Sequence, residues 1–392
     1  MPKPKLLIAG GGYADIPSIK AAKQLGYYVI TSGNRPEELG HLESDEYCNG
    51  DFSNPSTILE IAERHKVDAI APACNDFSAI SCAYAAEQMG LPGYDSYDVT
   101  TLLHHKDSYR AFAESNDIPT PRAKGFDSVE SASSHIESFE LPILIKPVDL
   151  TGGKGISKVT EYSTAKSALE SAFFASKAKR IVVEEFVEGT KHGFSAILKS
   201  GKIIFKFADN EHYYLNPYLV SGASYPSIIR PQVSNELTAV SEKIAQKLKL
   251  VDGIFHVQFI VKNDQPIIIE ICRRPPGDLY VLLVKLATGL DYPAQLLKPY
   301  MGENYGSSLS YSDKGCFLRH CIMASKNGTL ENLNYDSVRD NVIDEYIFCK
   351  PGDTIDAYMT TKLGILFLQF TSVEEMLQLS DKLHGFIKIK IA

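Results

Sequence analysis

The chain has 392 residues, 44% of them hydrophobic and 22% charged, which is ordinary for a globular protein and enough for two or three domains around a large core. Its formal net charge of -8 argues against a nucleic-acid-binding face, and its seven cysteines, odd in number and without CxxC or Cys/His spacing, argue against a disulfide framework or structural zinc. The apolar run near the N-terminus is only four residues long, too short for a signal peptide, and no later run approaches a membrane span. The expectation is a soluble cytoplasmic protein with reduced thiols and neither a nucleic-acid nor a membrane partner.

Strands are expected at 5–9, 27–31 and 69–72, with helices at 16–25, 58–65 and 77–89, the last ended by Gly90. Strands spaced by helices imply βαβ units on a parallel sheet. The loops at 10–15, 32–35 and 74–77 then share one rim, where such sheets bind ligands. Gly10-Gly11-Gly12 invites a dinucleotide reading, but the pattern is G-x-G-x-x-D and Ser32-Gly33-Asn34, not an acid, closes the second strand. A tight turn that admits a substrate or packs a helix is the better reading. Tyr13, Asp15, Asn75 and Asp76 on this rim are substrate candidates.

After a first domain at 1–105, a helix at 107–115 and Pro119 with Pro121 fill a linking segment, 106–124. A compact strand–helix–strand–strand–helix–strand unit is expected over 125–188. It holds the run LPILIKPVDLTGGKGI, in which an apolar strand ends in Lys146 and is followed by Gly152, Gly153, Lys154 and Gly155. Glycines at that density let backbone N–H groups turn inward as an anion-binding nest; alone, the run also reads as a hairpin with a solvated lysine. The unit closes on VVEEFVEG at 182–189.

A longer α+β unit over 189–306 carries strands at 194–198, 203–207, 254–261 and 266–271. The last two are read as an antiparallel pair that brings Gln258 near Glu270. Glu270 interrupts Ile267, Ile268, Ile269 and Ile271 and precedes Arg273, Arg274 and a PPG turn; burying such charges without a partner or metal is costly. The segment 211–227, with Tyr213, Tyr214, Tyr218 and Ser227, reads equally as substrate wall or core. A small α+β portion, 307–392, is expected to pack on this unit with strands at 316–324, 364–370 and 386–391 and a helix at 372–383.

Taken in order, Lys106, Lys146 with its glycine loop, VVEEFVEG and FHVQFIVKNDQPIIIEICRRPPGD resemble the ATP-grasp superfamily of carboxylate–amine ligases. The likeness is greatest to the branch of carbamoyl-phosphate synthase, D-alanine ligase and biotin carboxylase. The resemblance implies an α/β and α+β fold class, a parallel-sheet domain followed by a two-lobed ATP-grasp fold, with ATP and Mg²⁺ (or Mn²⁺) as cofactors. It implies that Lys106 and Lys146 reach the phosphates and that the Gly152–Gly155 loop folds over them. Glu184 or Glu185, with the backbone of Phe186 and Val187, would hold adenine, Glu270 and Gln258 the metal, and Arg274 the γ-phosphate and an acylphosphate. Arg273, standing where a proline is usual, could with Arg274 clamp a carboxylate.

The chain departs from that pattern in Gln258, where an acid is usual, and in Cys272, where an asparagine is usual and a thiol is a poor Mg²⁺ ligand. It departs again in Thr190-Lys191-His192-Gly193, near which a ribose-binding glutamate is usual. The implied reaction forms an amide between a carboxylate (amino acid, peptide or sugar acid) and an amine, through an acylphosphate, with release of ADP and phosphate. The alternatives are a nucleotide-biosynthesis enzyme acting on a phosphoribosyl substrate and a non-catalytic ATP-binding regulator. No side-chain nucleophile is required, so His104, His105, His192 and Cys272 are read as non-nucleophilic and His256 as a packed histidine. A homodimer is common in the resembled fold.

Overall fold

Apolar segments too short for helices open the chain, and in the computed structural model, which describes residues 2–306 and 309–392, they form a parallel sheet. Its order is Glu46–Asn49, Tyr28–Gly33, Lys5–Ala9, Ala69–Pro72. Leu6 and Ile8 pack with Ile19 on one face, while Leu7 packs with Ile58 and Ile61 on the other. Burial on both faces is why these strands read as unbroken apolar runs. The polar edge strand Glu46–Asn49 carries no such run and lies outside the expected elements. Helix Tyr97–His104, started by the Ser96 side chain, was also not expected.

The second sheet is antiparallel, in the order Ala123–Phe126, Ile181–Glu185, Ile143–Pro147, Ser157–Val159. Helices Val129–His135 and Ala165–Ala175 cover it, and Ile143, Ile145, Leu169 and Val183 fill its core. The strand–helix–strand–strand–helix–strand order matches the expectation.

The largest sheet has eight strands, ordered Gln265–Cys272, Gly253–Lys262, Thr190–Lys199, Lys202–His212, Gly222–Tyr225, Cys316–Ile322, Gly364–Phe370, Val342–Ile347. Late strands therefore extend this sheet by backbone pairing of Gly222–Tyr225 with Cys316–Ile322, more than side-chain packing alone. The expected division between 306 and 307 meets residues 307–308, which lie outside the described residues. Helix Pro231–Leu248 buries Val233, Leu237 and Ile244 against the sheet. The expected helix over 372–383 is two pieces, Val373–Ser380 and Leu383–Phe386. Among the described residues no helix is long and apolar enough to cross a membrane.

Candidate active site

A cleft of about 360 Å³ runs between the four-stranded and eight-stranded sheets, a size that suits a small-molecule ligand. Leu144, Lys146 and the segment Glu184, Glu185, Phe186 and Val187 line one end. Lys146 is almost fully buried and its Nζ meets Glu184. Glu184 also accepts from Arg110 Nε at 3.1 Å and Nη2 at 2.9 Å. Burial acts to raise the Glu184 pKa, but Lys146 and Arg110 outweigh it and hold the carboxyl at about 2. Glu184 is thus engaged by two cations, while Glu185 faces Arg122 at 2.6 Å. Phe186 N–H donates to Pro142 O, which fixes the backbone where the two lobes meet.

Lys106 is the first residue of helix Lys106–Glu114. Its Nζ donates to Leu150 O at 2.9 Å and pairs with Glu270 at 3.2 Å. Gly152, Gly153 and Gly155 have φ of +66°, +73° and +70°, a left-handed backbone that a Cβ opposes. Gly152 and Gly153 line the cleft, and a Cβ on Gly153 would meet Tyr218 Cβ at 2.8 Å. Lys154 is exposed and Gly155 sits against Pro147; neither lines the cleft. Lys191 does, donating to Pro217 O at 2.9 Å with its ammonium 3.9 Å from the Tyr213 ring centre.

Gln258 and Glu270 are register partners across the hairpin of Gly253–Lys262 and Gln265–Cys272. Gln258 Nε2 donates to Glu211 at 2.8 Å, which spends the amide nitrogen and not the carbonyl oxygen. One carboxylate and one amide oxygen fit a single Mg²⁺ that keeps water and phosphate ligands. Cys272 does not fit, because burial pushes its thiol pKa well above the ordinary value.

Two neighbouring arginines part company here. Arg274 lines the cleft, with Nε donating to Asp76 at 2.7 Å. Arg273 points into a separate buried niche, donating to Asp95 at 2.7 Å and Val251 O at 2.7 Å. Both arginines lie in the bend just past strand Gln265–Cys272, and their side chains diverge there, so the expected paired clamp is not made.

The rim candidates also stand differently from the expectation. Asp76 sits behind Arg274 and takes His104 Nδ1 at 2.9 Å. Since His104 Nε2 accepts from Arg273 N–H, its Nδ1 carries the proton. Burial would raise the Asp76 pKa, but Arg274 and His104 hold it far below the usual carboxylate range. Asp15 accepts from Gly12 N–H and Cys74 N–H, tying the glycine turn. Asn75 caps helix Asp76–Met89. Tyr13 donates to Asp278 at 2.6 Å. Ser227 bonds Asn210 at 3.2 Å and lines another crevice. Of these five, none lines the cleft; each is spent on shaping its surroundings.

Several cleft residues were not singled out from the sequence: Asp209, Asp278, Tyr280, Arg319 and Lys362, while Glu211 opens the expected segment 211–227. Asp209 and Glu211 alternate on strand Lys202–His212, and Arg319 interrupts the apolar strand Cys316–Ile322. That is the same signal that marked Glu270. Asp278 is held by Lys362 at 3.1 Å and, more loosely, by Arg319 at 3.8 Å. His256 lies 3.2 Å from Ser195 Oγ, and burial lowers its pKa to about 3.

A buried lysine, a glycine loop and a carboxylate hairpin thus surround one cleft between two lobes. Residues 104–215 match the family model "Phosphoribosylglycinamide synthetase, ATP-grasp (A) domain". Over that segment and in fold the chain is similar to ATP-grasp carbon–nitrogen ligases. It is 25% identical over 284 residues to formate-dependent phosphoribosylglycinamide formyltransferase of Rhodococcus jostii (strain RHA1), covering 69% of each chain. Identity is 23% over 339 residues to the arginine-specific carbamoyl phosphate synthase large chain of Bacillus subtilis (strain 168), spanning 79% of this chain but only 32% of that one. In fold it is similar to L-amino acid ligase from Bacillus licheniformis, with a TM-score of 0.83, 17% identity and 100% of both chains covered. Phosphoribosylglycinamide synthetase from Anaerococcus prevotii gives 0.77 and 21%, covering 99% of this chain and 100% of that one.

Proposed function

We propose that this chain joins a small carboxylate to an amine, using ATP to form an acylphosphate and releasing ADP and phosphate. The observation that carries the reading is the continuity of one cleft from Lys146 and the 184–187 segment, past Lys106 and Glu270, to Arg274 and Arg319. A nucleotide laid along it places its phosphates among lysines and its terminal phosphate toward the arginines. The adenine edge would meet the backbone at Phe186 and Val187, which can read it without buried charge. Glu270 and Gln258 would hold Mg²⁺, whose charge neutralises phosphate oxygens when bound. Lys106 and Lys146 align the phosphates, and Arg274, steadied by Asp76, faces the charge that builds on the transferred group. Such a reaction asks for alignment and charge neutralisation more than for a nucleophilic side chain.

The test is ADP and phosphate release across paired carboxylates and amines, beginning with amino acids. Release that depends on both partners supports the reading. ATP binding without release under every mixture would leave only the regulatory alternative. Glu270→Ala should lower turnover by about 100-fold or more, as loss of a charge-stabilising group does; unchanged activity would remove Glu270 from the metal site. A phosphoribosyl substrate is the second reading, favoured by the names of the matched family model and of the relatives in Rhodococcus and Anaerococcus. Phosphoribosylamine with glycine belongs in the same screen.

A further inference from the structure

Asp209 differs from the other acids of the cleft. Glu184 and Asp278 are engaged by cations, Glu270 faces Lys106, and both oxygens of Glu211 accept hydrogen bonds, from Tyr213 and Gln258. Asp209 is fully buried, lines the cleft, and spends one oxygen on the Tyr280 hydroxyl. Its other oxygen, Oδ1, has no hydrogen-bond partner among the described residues. Opposite it stands Gly193, where a Cβ would meet the carboxylate at 2.5 Å, so the sequence keeps room for this acid. A buried carboxylate oxygen left without a donor is costly, and a ligand that donates there removes the cost.

We propose that Asp209 Oδ1 binds the ammonium group of the amine substrate and takes a proton from it. The proposal rests on the ligase reading. In the step, R–NH₃⁺ gives one proton to the carboxylate and the freed nitrogen lone pair attacks the acylphosphate carbonyl carbon. The C–N bond forms, the C–O bond to phosphate breaks with its electron pair leaving on phosphate, and the second nitrogen proton goes to the departing phosphate. One amide N–H remains when the amine is primary.

The groups facing Asp209 suit that task. Glu211 stands on its own strand, the Gly193 N–H on the neighbouring one, Tyr280 on helix Tyr280–Thr288 and Arg319 on strand Cys316–Ile322. Burial first and Glu211 second push its carboxyl up to about 7, near the working pH where a general base is most effective. His256 is too weak a base for the role, and its Nδ1 faces Ser195.

The experiment compares two nucleophiles in the full-length protein. Hydroxylamine, largely uncharged at neutral pH, traps an acylphosphate as a hydroxamate without needing a base. Asp209→Asn should form hydroxamate at close to the wild-type rate yet form amide from an ammonium substrate about 100-fold more slowly, the usual scale of general-base loss. Asp209→Ala should behave alike, with amide formation partly restored by added acetate. Equal losses with both nucleophiles, or undiminished amide formation, would overturn the proposal. A wild type that yields no hydroxamate from any carboxylate would overturn the ligase reading instead. Calorimetric titration of glycinamide then decides the subsite: affinity weakened about 10-fold by Asp209→Asn, the equivalent of 1.4 kcal/mol, supports it, and equal affinity overturns it.

Discussion

Glu184 shows how one carboxylate can carry both stability and site geometry. Removing its charge leaves Lys146 and Arg110 buried against each other without an anion, which costs about 3–5 kcal/mol in comparable buried pairs. Glu184→Gln should therefore lower the melting temperature at neutral pH. The folded carboxyl sits at about 2 against an ordinary 4.5. Its contribution is fully present above 4.5 and is lost as pH falls from there toward 2. A pH series of thermal melts should show the variant with a shallower acid decline than the wild type over that window; parallel declines would contradict the ion triad. At this scale the sequence was partly legible. Glu270 and Arg274 announced themselves as charges in an apolar run, yet Arg273 carries the same signal and serves Asp95 in a separate niche. Composition marks a buried charge, and only the direction of the side chain says whether it meets a ligand or a partner.

Between elements, local patterns carried further than pairings. The hairpin was readable because a two-residue turn, Asn263-Asp264, with φ of 51° and 60°, joins its strands and sets their register as far as Phe259 opposite Ile268; a bulge between Gln258 and Phe259 then brings Gln258 opposite Glu270. Helix Pro231–Leu248 was missed although Val233, Leu237 and Ile244 recur at helical spacing. The partner of strand Cys316–Ile322 was not legible: alternation marks a strand's faces but not its neighbour. That strand puts Arg319 in the cleft and the adjacent His320 outside it, beside Tyr214. Burial above all, with His212 and His384 adding repulsion, lowers the His320 pKa to about 3. The unfolded chain takes a proton near 6.5 while the folded one does not. Stability from this residue is therefore lost as pH falls from about 6.5 toward 3. His320→Gln should flatten that part of the stability profile, measured by urea denaturation at stepped pH; an unchanged slope would mean the imidazole is protonated in place.

Across the whole molecule, function depends on how the four-stranded lobe meets the eight-stranded one over the cleft. The glycine loop is a piece of the small lobe that touches the large one, with Gly153 against Tyr218 and Gly152 beside Leu219. Two independent constraints hold position 153 to glycine. Its φ of +73° is strained for any residue with a Cβ, and that Cβ would fall 2.8 Å from Tyr218 Cβ and 2.9 Å from its backbone. The backbone cannot swing aside as a side-chain tip would. In Gly153→Ala the loop must back away from the large lobe. Because Gly153 is only half-buried, the fold should lose about 1 kcal/mol or less, the scale of strain at a left-handed turn. Under the ATP reading, the loss falls on nucleotide binding: the KM for ATP should rise by about 10-fold, which corresponds to 1.4 kcal/mol, with the melting temperature of the ligand-free protein nearly unchanged. Tyr218→Ala does not relieve the collision, because alanine keeps the Cβ and the backbone that a Cβ at 153 would meet, so the double variant should bind ATP no better than Gly153→Ala alone. If Gly153→Ala binds ATP as the wild type does, the loop's contact with the large lobe has no part in holding nucleotide, and the phosphates must rest on the other cations of the cleft.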